Sequence, residues 1–109
     1  MIKFNGKTIR VHKNQSFEVE YDVAKAVGVK GRVVVLYNPD SVKRGQFRNL
    51  VAFSDAGEKI WEAELPTTMS SDCYYDIFSI KPLVVGSFCS FRCTIDLSSG
   101  KIIEKEFCR

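Results

Sequence analysis

The chain is short of the residues that most chemistry needs. Its 109 residues include one histidine, His12, one tryptophan, Trp61, two methionines and three prolines. One histidine leaves no partner for a second imidazole in a metal site or a proton relay. No apolar run approaches the 18 or so residues of a membrane span. No G-x-G-x-x-G, Walker loop, G-x-S-x-G, H-E-x-x-H or EF-hand loop occurs. Cys73, Cys89, Cys93 and Cys108 contain no C-x-x-C, which argues against zinc and leaves them as structural thiols. Met1-Ile2-Lys3-Phe4 runs straight into a turn, so no signal peptide is read and the thiols are expected to be reduced in the cytoplasm. No cofactor is expected, and the chain reads as a non-enzyme.

What is present is strand and turn chemistry. A 45% apolar and 12% aromatic content over 109 residues suits one domain, 1–109, with a core that needs no staples. The stretch Leu50–Leu65, LVAFSDAGEKIWEAEL, reads as a hairpin. Val51 and Phe53 alternate with Ala52 and Ser54, and Asp55-Ala56-Gly57-Glu58 supplies the turn. Trp61, Ala63 and Leu65 then form the apolar face, with Ile60, Glu62 and Glu64 opposite. Pro66, which has no N–H to give, ends the ladder.

A second hairpin, CTIDLSSGKIIEKEF over Cys93–Phe107, echoes the first. Ile103, Lys105 and Phe107 share one face, and Ile102, Glu104 and Glu106 the other. Gly57 and Gly100 are 43 residues apart, and Lys-Ile-x-Glu-x-Glu recurs at nearly the same offset. A period of roughly 40–45 residues is that of a four-stranded propeller blade.

The Asp55-Ala56-Gly57 turn followed by Ile60-Trp61-Glu62 resembles the outer hairpin of blades in quinoprotein-type β-propellers. The closing run Phe91–Ile103 resembles a group of small uncharacterised bacterial proteins that end on such a hairpin. Those are often encoded near toxins or in mobile gene loci, which implies an immunity- or adaptor-like role. The resemblance covers about half the chain and carries over no site residue. About two and a half blades cannot close a ring.

The rest of the chain supports an all-β fold of about eight to ten short antiparallel strands. It could be a meander of incomplete blades or an open barrel or sandwich. Ile2–Val11 is a hairpin with an Asn5-Gly6 turn. Phe17, Val19, Tyr21 and Val23 alternate with Glu18, Glu20 and Asp22 as one period-2 strand. Its outer row of carboxylates is a solvated ladder rather than a catalytic pair. Ala24–Val29 continues extended, with room for a short helical turn over 23–27. Arg32–Tyr37 is almost unbroken in apolar character, as expected of a strand covered on both faces. Ile77–Ile80 and Leu83–Cys89 are further strands around Lys81-Pro82, and Gly86 suggests a bulge.

Two loops hold the candidate binding residues, which in the alternative reading would take a small ligand or nucleic acid. In Val42–Asn49, the basic Lys43, Arg44 and Arg48 surround Phe47, a pattern that grips single-stranded nucleic acid or simply anchors the loop on the core. In Thr67–Asp76, Asp72, Tyr74 and Tyr75 lie together, as recognition surface or as a lid over the core. The whole-chain pI of about 8.7 is below the usual range of nucleic-acid-binding domains, so nucleic acid is disfavoured. Residues 1–48 carry a balance of +6, ten basic against four acidic; residues 49–109 carry −3, six against nine. That asymmetry, with strand edges open, suggests a protein partner or a homodimer.

Overall fold

The structure, a computed structural model, describes residues 2–108. Three antiparallel sheets follow one another in chain order. The first is β1 (Lys3–Asn5), β2 (Thr8–His12) and β3 (Gln15–Glu18). The second is β4 (Val23–Val29), β5 (Arg32–Tyr37), β6 (Leu50–Ser54) and β7 (Lys59–Glu62). The third is β8 (Tyr74–Ser79), β9 (Leu83–Ser87), β10 (Phe91–Ile95) and β11 (Ile102–Phe107). Each sheet is a meander in which neighbours in sequence are neighbours in space. The fold is therefore all-β and open, with a short 3₁₀ turn at Pro39–Ser41.

The middle sheet separates two cores. Val33, Val35, Tyr37, Val51 and Phe53 pack toward Ile9, Val11 and Phe17 of the first sheet. Val34, Leu36, Leu50, Ala52 and Trp61 pack toward Ile77, Leu83, Val85, Cys93 and Ile95 of the third. Successive side chains of a strand point to opposite faces, so an uninterrupted apolar β5 serves both cores at once. Covering on both faces is thus what its composition called for.

The sheets are joined by one device used twice. Gly57, in the β6–β7 turn, has φ +88°, and Phe17 of β3 lies over it. Gly100, in the β10–β11 turn, has φ +77°, and the Trp61 ring of β7 lies over it. In both cases an aromatic from the last strand of one sheet sits on the final turn of the next. A Cβ at Gly100 would stand 2.6 Å from Trp61 Cε3, and at Gly57 2.8 Å from Phe17 Cβ and Cγ. Trp61 Nε1 also donates to the Leu97 carbonyl at 2.8 Å, which satisfies the one polar atom of the ring. Ile102 N donates to Glu64 Oε1 at 2.7 Å, tying the two hairpins further.

Three expectations change. The described residues hold eleven strands rather than eight to ten. The run from Phe17 to Val23 is not one strand: the chain bends at Glu20-Tyr21 to pass from the first sheet to the second. Val19 N and Val23 N bond to Lys7 O and Gly6 O, and Tyr21 turns in against Tyr37 and Phe47. Residues 23–27 lie in strand β4, with no helical turn.

Candidate protein-interaction face

A sheet with one face in water ordinarily turns polar residues outward. The first sheet obeys: Lys3 pairs with Arg10 and Asn5 with Thr8, which in turn face Ser16 and Glu18 of β3. The outer face of the third sheet does not. Tyr75, Phe78 and Phe88 are exposed there, Phe88 at 57%.

Tyr75 and Phe78 are three apart, so a regular strand would point them to opposite faces. Two register shifts in β8, between Tyr74 and Asp76 and between Ile77 and Ser79, cancel that alternation. Bulges re-aim side chains in this way. Tyr74 and Ile77 both turn into the core, and Tyr75 and Phe78 both turn out. Their rings need floor space, which Gly86 supplies from β9. A Cβ there would lie 2.5 Å from Phe78 Cζ and 3.0 Å from Tyr75 Cε2. Gly86 is therefore a close-approach glycine, and the bulges belong to the strand beside it.

The rings form a connected group. Tyr75 lies 5.8 Å from Phe78, edge to face, and 5.3 Å from Phe88. The Arg92 guanidinium lies over the Phe78 ring at 5.4 Å. With Phe91 and Cys108 these residues border a shallow depression of about 380 Å³. A second basin, about 450 Å³, continues along the sheet past Val84 and Thr94 to Glu104 and Glu106. Arg92 is the cross-strand partner of Glu106, yet it turns to Phe78. Among the described residues, Glu104 and Glu106 form no ion pair. Lys105, on the other face of β11, stands 5.3 Å over the Phe91 ring and donates to the Pro66 carbonyl at 2.9 Å.

A family comparison adds one finding: the family described as Domain of unknown function (DUF7957) matches residues 1–107. The chain belongs to the DUF7957 family. No curated protein and no solved structure matches it.

Within this DUF7957 domain the residues singled out from sequence separate. Lys43, Arg44 and Arg48 are exposed on the loop before β6. Phe47, between them, is buried, 4.9 Å from Tyr21 and stacked on Tyr37 at 6.2 Å. It is the loop's anchor and offers no ring for a base to stack on. Asp72 is buried, accepts from the Thr67 hydroxyl at 2.7 Å, and takes the Phe47 N–H on its carbonyl at 3.1 Å. Gln46 Nε2 donates to Thr67 O at 2.6 Å, so the two candidate loops meet and brace each other.

Tyr74 is fully buried, so it is neither lid nor recognition surface. Its hydroxyl donates to Glu64 O at 2.6 Å, and burial pushes its pKa well above the usual tyrosine range. Asn49 completes this buried polar joint. Its amide donates to the carbonyls of Tyr37 and Tyr74 at 3.0 and 2.7 Å and accepts from Tyr74 N at 2.8 Å. A side-chain amide that bridges two backbones in this way fixes the position of the third sheet against the second. Burial also raises the thiol pKa values of Cys73, Cys89 and Cys93, which holds them in the protonated, poorly nucleophilic form.

Of the loop candidates only Tyr75 belongs to the aromatic face. Phe78, Phe88, Gly86, Arg92, Glu104 and Glu106 were missed from sequence. The available signal was the three-residue spacing of Tyr74 to Ile77 and Tyr75 to Phe78, which is the mark of a bulged strand.

Proposed function

We propose that this protein is a non-enzymatic interaction module that binds another protein through the outer face of its third sheet. The observation that carries the reading is the exposed Tyr75–Phe78–Phe88 cluster seated on Gly86, with Arg92 over it. Connected, solvent-facing aromatics with a polar rim mark contact surfaces, and Tyr and Arg are the residues most enriched at their energetic centres. The flanking carboxylates of Glu104 and Glu106 would repel phosphates, which disfavours nucleic acid on this face. The exposed Lys43, Arg44 and Arg48 have no accessible ring among them now that Phe47 is placed in the core.

The repeated seating of an aromatic on a turn glycine supports a blade-like repeat of the kind the two hairpins suggest. An adaptor- or immunity-like role in a bacterial cytoplasm fits a small binding module whose four cysteines are free thiols.

The test is comparative capture from nuclease-treated lysate, using wild type and a Phe78→Ser/Phe88→Ser variant matched in thermal stability. Proteins retained by wild type and lost by the variant support the reading. Equal retention by both, or recovery only of nucleic acid in untreated lysate, counts against it.

A further inference from the structure

Resting on that reading of the face, we propose that the partner presents a basic, Arg- or Lys-bearing segment to it. Two features of the surface ask for a cation. The first is electrostatic: Glu104 and Glu106 stand in one row on β11, exposed and without an ion pair among the described residues. Arg92, the cation best placed to neutralise Glu106, lies over Phe78 instead.

The second feature is the rings. An aromatic face attracts a cation through its quadrupole. At this end of the molecule the chain uses that attraction twice itself, with Arg92 over Phe78 and Lys105 over Phe91. The rings of Tyr75 and Phe88 border the same depression, and no cation lies over them among the described residues. A basic side chain would stack on these rings while a second, farther along the segment, reaches across β9 and β10 to the carboxylates of β11. An acidic segment would meet two carboxylates that hold no ion pair among the described residues, and a wholly apolar one would bury them unpaired, which is costly.

The chain as a whole carries +3, so a cationic peptide is repelled in general and is held only where the local charge is reversed. That makes the test discriminating. A labelled peptide alternating Arg and Gly is titrated into the full chain at low salt, with its Glu-Gly counterpart as control. The expected result is saturable binding of the Arg peptide alone. Affinity should fall about tenfold in Glu104→Gln/Glu106→Gln, as for the loss of close charge pairs, and further with salt. Glu18→Gln/Glu20→Gln, which removes two exposed carboxylates at the other end of the molecule, should leave it unchanged.

No binding up to millimolar peptide, or equal weakening by both double variants, overturns the proposal. If the peptide fails while Phe78→Ser/Phe88→Ser still loses captured protein, the contact face stands and only its basic partner falls. If light scattering gives twice 12.4 kDa and Glu104→Gln/Glu106→Gln restores 12.4 kDa, the basic segment belongs to the +6 half of a second copy.

Discussion

The β6–β7 and β10–β11 hairpins share a turn glycine and a Lys-Ile-x-Glu-x-Glu run and end in opposite environments. Trp61 is 6% exposed; Ile103, which stands 42 residues after it in the matching position, is 66% exposed. Ala63 is buried, and its counterpart Lys105 is in solvent. Nothing within the hairpins accounts for this. The indole of the first is received by the Gly100 turn of the third sheet; Ile103 lies under no such turn among the described residues. Burial in this fold is thus decided by what packs on a hairpin rather than by the hairpin's own residues.

Removing the covered anchor should break the comparison most severely. Trp61→Ala deletes a buried indole that fills the junction between the second and third sheets and donates to Leu97. A loss of about 3–5 kcal/mol is expected, as for other large-to-small core changes. Denaturant unfolding followed by far-UV circular dichroism measures it. Wild-type stability in this variant would mean that the indole does not hold the sheets together.

The three glycines that lie under rings should separate next. Gly57→Ala and Gly100→Ala force a side chain into positive φ and into the stem of a packed ring, so each should cost about 1–3 kcal/mol. Gly86→Ala has no such backbone strain. Its Cβ would meet the far ends of exposed rings that can swing away, so the cost should stay within about 1 kcal/mol. Thermal melts of the three variants side by side test the ordering. A Gly86→Ala loss as large as that of Gly100→Ala would show the outer rings to be fixed parts of the core.

How much of this was legible beforehand depends on whether the determinant is local. The two turn glycines, the Trp61 side of β7 and the double-sided burial of β5 follow from turn chemistry and period-2 patterning, and all were readable. Tyr74 and Tyr75 were not separable, because a bulge shifts the phase of the strand and its position is set by the partner strand. Phe47 carried two readings because a ring among basic residues looks the same whether it faces solvent or Tyr37. The exposure of β11 was hidden for a third reason: its pattern copies that of a covered strand.

A smaller effect belongs to Ile103. Replacing it with Thr in dilute solution should change unfolding free energy by no more than about 0.5 kcal/mol, the usual range for surface positions. Paired with Trp61→Ala, this tests the comparison at its two matching positions. A Thr variant that lost several-fold more than this would place Ile103 in a packed environment, and the symmetry between the hairpins would then extend to burial.

The smallest expected effect lies at the edge of the junction that Trp61 fills. Lys25 of β4 bridges to Asp76 of β8 at 2.9 Å, with both side chains 46% exposed. The Lys25 hydrogen bond holds the Asp76 carboxyl below its ordinary value of 3.8. Because the folded pKa is the lower one, the bridge stabilises the fold above the unfolded value. That contribution fades as pH falls below 3.8 and through the folded pKa. Solvent screening keeps it within the roughly 0–1 kcal/mol of surface pairs. Asp76→Asn should therefore lower the melting temperature slightly at neutral pH and converge on wild type in acid, where the carboxyl is protonated in both states. High salt should shrink the neutral-pH gap. A gap that stays constant from pH 7 into the acid range would mean that the charge of Asp76 on Lys25 does not carry the effect.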